Sequence, residues 1–595
     1  MKGLKNTLSL TFEGKHLRQL FFLTLSALVV SLLEIVGVAS VAPFISMVFD
    51  RDLIQENASL LWIYQTLEFK NNDEFIVFFG ILVIIFLLLA NTYQSLHHYF
   101  TTYFSKLFGH DFSMKLLKKY LSKDYQFFLD RNSSEFSKNI IIEVDRVVKG
   151  VIMAGIITIS RAILVLCMSI FLISLNPLMG FFLLFGIGGS YALIYLFFRK
   201  SLATTGRKSS IYTADRLKVT SEAFGAIKEL KLYNNSDIFL GRFEHPSLNT
   251  AKYTAKSLLI SLIPKYLMET IAFASLIGSV LYMITIGYEQ SFILASLTLY
   301  AFAGYRLIPG FQMLYQQITL IKFNYPALVF LLADLETESK KQTLALPEEI
   351  KFEDKIVLEG ISFTFPKTKK KILDRMNIEI QKNSSIGLVG STGSGKTTFV
   401  DLLLGLIKQD EGKITVDGVE LNDSNIASWQ KKIGYVPQEI FLYDDSIKKN
   451  IAFGIPDESV DSSKLEKAIN NSQLDQFIES LPNGSNTIVG ERGVKLSGGQ
   501  RQRIGIARAL YNDPEILFMD EATSSLDGKT EDIIMESINH LSSQLTLFLV
   551  AHRVTTLREC DQIYFLENGK IIESGSYTYL LENSKSFKDL SNLGI

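Results

Sequence analysis

Eight consecutive residues, Gly390-Ser391-Thr392-Gly393-Ser394-Gly395-Lys396-Thr397, have the order of a loop that wraps phosphate. They follow a short apolar stretch, Ser384–Val389, that reads as a buried strand, and they precede Thr398–Leu404, which reads as a helix. The chemistry requires that setting. Glycines let backbone N–H groups converge on phosphate oxygens, and a helix N-terminus adds a favourable dipole. Lys396 is expected to reach the β- and γ-phosphates of a nucleoside triphosphate, and the Thr397 hydroxyl to ligate Mg2+. Thr398, at the start of the helix, completes the expected nucleotide contacts.

A second apolar stretch, Ile516–Met519, ends in Asp520-Glu521. A carboxylate at the end of a strand downstream of a phosphate loop holds Mg2+, which is the expectation for Asp520. Glu521 is then the candidate for polarising the attacking water. The bland alternative, two surface acids after a strand, does not explain why they follow a phosphate loop in this order.

Leu496-Ser497-Gly498-Gly499-Gln500 matches the signature of ABC ATPases, and the remaining motifs of that family stand around it in family order. The resemblance covers roughly Phe352–Leu581 and implies ATP and Mg2+ as ligands. Phe365 resembles the aromatic that stacks on adenine, where exporters usually carry Tyr. Gln438, in Tyr-Val-Pro-Gln, resembles the glutamine that senses the γ-phosphate and Mg2+. Gly490-Glu491-Arg492-Gly493 is similar to the exporter segment that contacts the membrane domain. Ser524-Ser525-Leu526-Asp527 resembles the D-loop, and His552, after the strand Leu545–Ala551, the switch histidine. Every catalytic position carries a competent residue. In this family the signature helix, read here as Gln500–Leu510, completes the ATP pocket of the opposite subunit. Ser497, Gly498, Gly499, Gln500 and Asp527 are therefore expected to act in trans. One phosphate loop and one signature per chain imply a homodimer.

These elements need a scaffold, and the composition says which kind. Of 595 residues 48% are hydrophobic, and mean hydropathy is +0.22, high for a wholly soluble chain. Lys plus Arg (60) nearly cancels Asp plus Glu (61), which argues against a nucleic-acid partner. The two cysteines, Cys167 and Cys560, form no metal or redox motif. A bilayer core of about 30 Å takes about 20 apolar residues per helical span. Six stretches qualify: Leu17–Phe49, Phe75–Tyr99, Val151–Leu175, Leu178–Phe198, Leu258–Ile286 and Phe292–Ile318. The first is too long for a signal peptide and lacks a small-residue cleavage site.

Lys and Arg crowd the segments before span one, between spans two and three, and between spans four and five, while the alternate loops carry almost none. That alternation puts both chain ends in the cytoplasm. The two long basic segments contain few breakers and read as helical extensions of the spans, turning near Asp124–Ser134 and Val219–Lys228. The expected fold is thus a six-helix transmembrane bundle of the ABC exporter type over residues 1–335. A polar linker over 336–350 joins it to an α/β P-loop ABC ATPase domain over 351–595.

Four charges, Glu34, Arg161, Glu269 and Arg306, fall inside the spans. Such groups either pair between helices or face a substrate path, and both readings stand: mutual pairing, or Arg306 and Arg161 as counter-charges for an anionic head group. Pro264-Lys265-Tyr266-Leu267-Met268-Glu269, Tyr305-Arg306-Leu307-Ile308-Pro309, and Glu34 followed by Pro43-Phe44-Ile45 resemble bacterial lipid-linked oligosaccharide flippases of the PglK type. Arg161 is not part of that resemblance. It implies a lipid-linked or otherwise amphipathic substrate flipped across a bacterial inner or plasma membrane. Multidrug, peptide or lipid A-type export is the alternative within transport, and an ATP-gated regulator or channel is the alternative outside it.

Overall fold

The computed structural model describes residues 14–49, 51–129, 131–175, 177–287, 290–336, 348–366, 368, 370–521, 531, 533–536, 538, 545–551 and 553–592. It divides into two compact units. The first is Met1–Lys123 with Phe127–Lys340; the second is Asp124–Gln126 with Lys341–Ile595.

The first unit is built of long helices: α1 (Gly14–Phe49), α2 (Asn72–Leu121), α3 (Ala154–Leu175), α4 (Pro177–Gly225), α5 (Ser236–Leu262), α6 (Pro264–Ile286) and α7 (Gln290–Glu336). Helices are the form in which a chain satisfies its own backbone polar groups inside lipid. Among the described residues five helical stretches are long and apolar enough to span a membrane. The other expected span, Leu178–Phe198, lies on α4, where many side chains fall outside the described residues.

Both basic segments continue the spans as helix. α2 runs on for 50 residues, about 75 Å at 1.5 Å per residue. Its return leg reaches α3 through two π-helical turns, Lys138–Glu143 and Val148–Met153. The second reversal begins inside the expected window at Gly225 but is completed only at Asn234 and Asn235. A further helix, Ile227–Tyr233, is inserted there, and Asn234 takes the left-handed conformation that ends it.

The fifth expected span, Leu258–Ile286, lies within one span-length helical stretch, Ser236–Ile286, in which α5 gives way to α6 at Pro264 while Ile263 between them keeps helical φ −56° and ψ −40°. Proline at that position has no N–H for the Ile260 carbonyl four residues back. The Tyr315 hydroxyl of α7 donates to that carbonyl at 3.0 Å instead. The junction is therefore tied to the last span by a hydrogen bond that proline itself makes available.

Two buried polar clusters hold the helical extensions. Glu143 pairs with Arg146 at 3.1 Å and accepts from the Ser210 hydroxyl of α4, while Arg146 Nε donates to Asn324 Oδ1 of α7 at 3.2 Å. Nearer the end of α7, Asp334 accepts from the Tyr120 hydroxyl at 2.6 Å, Arg131 at 3.0 Å and Asn139 at 3.2 Å. Buried charge is tolerable when it is this fully paired, and costly once one partner is lost. Glycine permits the close approach: a Cβ on Gly206 would stand 1.8 Å from the Phe323 carbonyl oxygen.

The second unit carries two sheets. β1 (Lys355–Thr364), β2 (Lys371–Gln381), β4 (Glu411–Val416) and β5 (Val419–Glu420) form an antiparallel sheet in the order β2-β1-β4-β5. The larger sheet orders as β10-β9-β3-β8-β7-β6, from β3 (Ser385–Gly390), β6 (Ile433–Val436), β7 (Ile516–Asp520), β8 (Thr546–Val550), β9 (Gln562–Glu567) and β10 (Lys570–Gly575). Its β9-β3-β8-β7-β6 part is parallel. β3, β7 and β8 are buried at every residue, as parallel strands covered on both faces must be. Phe399 of helix α8 (Lys396–Leu403), Phe518 and Phe548 pack together in that core.

Gly206→Ala should lower the thermal midpoint of the detergent-purified chain by several degrees, the effect of about 1–3 kcal/mol of overpacking. Gly241→Ala, in the interior of α5 with nothing within 4 Å of the new Cβ, should hold or raise it. Equal shifts for the two would contradict the close contact between α4 and α7.

Candidate functional site

β3 delivers the chain into the phosphate-type loop, and the loop's shape depends on two glycines. A Cβ on Gly390 would lie 2.1 Å from the Leu566 carbonyl oxygen of neighbouring β9. Gly395, at φ +108°, caps α8 in a backbone region that side chains avoid. Lys396 opens α8, is 7% exposed, and its ammonium group donates to the carbonyls of Gly390 at 2.7 Å and Ser391 at 3.3 Å. Burial draws its pKa below the ordinary lysine range, partly offset by the nearby carboxylates of Glu521 and Asp520. The Ser394 hydroxyl is buried with no hydrogen-bond partner among the described residues. Ser391, Thr392 and Thr397 are exposed around it, and Thr398 is partly so. An orphaned hydroxyl, a held ammonium and left-handed glycines are the features a phosphate chain would complete.

Asp520 ends β7 opposite Val550 of β8, and Glu521 donates its backbone N–H to the Val550 carbonyl at 2.9 Å. That bond holds Glu521 at φ 52°, a conformation uncommon for a residue with a side chain. Its carboxylate accepts from Gln438 Nε2 at 2.5 Å; Gln438 lies two residues beyond β6, the strand beside β7. Gln438 and Glu521 are thus brought together, and both Glu521 and Asp520 lie near enough to Lys396 to raise its pKa.

Phe365 follows β1, partly buried, with its ring edge-on to Phe363 at 5.1 Å. Phe363 pairs across β1 and β2 with Leu373, whose side chain approaches Gly395. Ser497 caps helix α9, which begins at Gly498 and runs to Leu510, two residues earlier than the sequence indicates. The two added residues are held by a reciprocal pair of hydrogen bonds: Gln500 N–H to Ser497 Oγ at 3.2 Å, and Ser497 N–H to Gln500 Oε1 at 2.8 Å. No hydrogen bond joins residues 497–500 to the phosphate loop among the described residues. Asp527 and His552 lie outside the described residues, although β8 ends two positions before His552.

In the membrane unit, Arg161 of α3 stands 3.6 Å from the buried Glu34 of α1, an ion pair between helices. Glu269 pairs instead with Lys265 one turn earlier on α6, also at 3.6 Å. The Arg306 side chain lies outside the described residues.

Sequence reasoning passed over Asp401. It sits on α8, five residues after Lys396, and burial beside Asp520 pushes its pKa up to about 6. The only signal in the sequence is an acid on the buried side of an amphipathic helix.

The chain matches the family described as ABC transporter transmembrane region over residues 20–286 and the family described as ABC transporter over residues 373–524. It is 30% identical over 470 residues to the heterocyst differentiation ATP-binding protein HepA of a Nostoc species, covering 77% of this chain and 74% of that protein. It is 36% identical over 266 residues to the ATP-dependent lipid A-core flippase of Pseudoalteromonas translucida, covering 44% and 45%. It is 43% identical over 244 residues to ABC transporter B family member 6 of Dictyostelium discoideum, covering 40% and 36%. The chain therefore spans less than half the length of the last two. The solved structure of a bacterial Atm1-family ABC exporter with ATP bound shares the fold, with a TM-score of 0.81 at 20% identity over 98% of this chain and 99% of that one.

Lys396→Met keeps the side chain's bulk and removes its charge. It should leave the chain folded, with ATP binding weakened at least about tenfold by equilibrium titration, the loss of one charge-assisted contact. Unchanged ATP affinity would mean that Lys396 serves only the loop.

Proposed function

This chain belongs to the ABC transporters, and from that premise we propose that it is an ATP-hydrolysing half-transporter. As a homodimer it exports a lipid-linked oligosaccharide or related glycolipid. The observation that carries the ATPase reading is the shared strand edge that gathers the phosphate loop, Asp520, Glu521 and Gln438. The phosphates of ATP lie along Gly390–Thr398, with Lys396 turning from the Gly390 carbonyl to phosphate oxygens and the Ser394 hydroxyl gaining its missing partner. Phe365 stacks on adenine. Thr397, Gln438 and Asp520 would hold Mg2+, which when bound would supply positive charge to offset that of the phosphates.

Glu521, fixed by the Val550 carbonyl and by Gln438, accepts a hydrogen bond from the attacking water and orients it. His552 and Gln438 line the γ-phosphate. Ser497, Gly498, Gly499 and Gln500, with Asp527, close the pocket from the partner subunit. The N-terminus of α9 supplies a second ring of N–H donors for that purpose.

In this reading the ATPase unit lies in the cytoplasm of a bacterial cell and the bundle in its inner or plasma membrane, an orientation supported by the Lys and Arg crowding alternate segments. For the cargo, support comes from the Pro264–Glu269 and Tyr305–Pro309 motifs and from the α5/α6 junction that Tyr315 bridges. In this reading Arg306 and Arg161 meet the diphosphate, and Glu34, which stands beside Arg161, balances that arginine in its absence, while Glu269 is paired with Lys265.

Proteoliposomes containing the chain and a labelled lipid-linked oligosaccharide should show ATP-dependent transfer between leaflets, and Arg306→Ala should reduce it at least about tenfold, one lost charge-assisted contact. Transfer of a drug or peptide with none of the glycolipid would overturn the cargo reading.

A further inference from the structure

The membrane unit holds a polar cavity of about 290 Å3 that the spans alone do not call for, between α1, α2, α3 and α7. α2 contributes Gln94, His97, His98 and Thr101, spaced as one helical face, and α3 contributes Ser160 and Arg161. A polar face on a membrane helix is expensive unless something uses it.

Three features of the lining point to the same ligand chemistry. No carboxylate lines the cavity among the described residues, so its polar groups are hydroxyls, amides, imidazoles and one guanidinium. Thr101 is 2% exposed, and its hydroxyl has no hydrogen-bond partner among the described residues. A buried hydroxyl pays its full desolvation cost when unpaired. Arg161 stands 3.6 Å from Glu34, beyond hydrogen-bond range, so guanidinium N–H groups remain for another acceptor. An acceptor with several charged oxygens satisfies all three at once.

The level of the cavity identifies the source of that acceptor. Tyr99, Phe100 and Tyr103 of α2 project outward, exposed, beside the cavity-lining residues. Aromatic side chains of this kind mark the boundary between hydrocarbon and head groups. Counting from Phe75, Gln94–Thr101 lie about 29–39 Å along α2, at the end of the span that leads into the basic extension. The cavity is therefore at head-group depth and beside lipid.

We propose that this cavity binds the phosphate head group of a membrane amphiphile taken from the leaflet facing the basic helical extensions. The inference rests on the exporter reading above and adds a site to it: Gln94, His97, His98, Thr101 and Ser160 join Arg161 as head-group contacts.

Thiol protection tests this directly. Thr101→Cys and, separately, Ser160→Cys are introduced into the full chain carrying Cys167→Ala and Cys560→Ala, and each is purified in a maltoside detergent. N-ethylmaleimide modification is timed with farnesyl phosphate, farnesol or inorganic phosphate at equal concentration. Farnesyl phosphate should slow modification at least about tenfold, the others less than about twofold, and Arg161→Gln should raise the protecting concentration at least about tenfold, the loss of one charged contact. Equal protection by farnesol would make the cavity an apolar slot. Protection by inorganic phosphate alone would make it a free-anion site. Thiols that none of the three compounds protects, or that are unreactive at both positions, would close it to ligands. Each of these three results overturns the proposal. The leaflet-transfer assay is independent: glycolipid transfer without protection removes this site alone, and protection without glycolipid transfer removes only the cargo reading.

Discussion

The parallel register of β3, β8 and β7 is the constraint on which the nucleotide chemistry depends. Leu388 lies beside Val550, and Val550 beside Asp520, so the three strands end at one edge of the sheet. Whatever follows each strand is delivered there: the phosphate loop after β3, Glu521 after β7, and the segment leading to His552 after β8. Ligands of open α/β sheets bind at such carboxyl ends because the loops, free of ladder bonds, present their N–H groups and side chains outward. Burial of all three strands on both faces makes the edge rigid. It also sustains the left-handed Glu521, whose N–H continues the ladder one residue beyond the strand.

The membrane unit answers a different constraint, that polar groups in hydrocarbon are costly unless something pairs with them. Its solutions are pairwise and tertiary. Pro264 removes an N–H and Tyr315 of another helix takes the freed carbonyl. Glu34 meets Arg161 across two helices. Glu143 and Arg146 carry the same logic into the extensions, where they tie α3's approach to α4 and α7. Each contact links segments that are distant in sequence.

What the sequence made legible divides along the same line. The strand–loop–helix around Lys396 and the strand ending in Asp520 are local patterns, and both elements fall within a residue or two of where the residues place them. The long extensions were legible because turn residues are missing from them. The capping box at Ser497 was written in the sequence as Ser and Gln three apart, yet the signature motif drew the eye to ligand contacts rather than to helix geometry. The lost ladder bond at Pro264 was hidden because proline inside an apolar run does not say whether a helix kinks, ends or, as here, runs on. The Asp334 cluster was illegible outright, since Tyr120 and Asp334 lie 214 positions apart. The polar face of α2 lay at the margin of a span counted by apolar length, which ends at Tyr99 and so divides His97 from Thr101.

The central claim is that Glu521, held at the strand edge, activates water for ATP hydrolysis. Steady-state ATP hydrolysis and ATP affinity of the purified full chain, wild type beside Glu521→Gln, test it most directly. The account predicts ATP affinity within about threefold and a turnover lowered about 10²- to 10⁴-fold, the span of a lost general base. Hydrolysis at the wild-type rate by Glu521→Gln would contradict it.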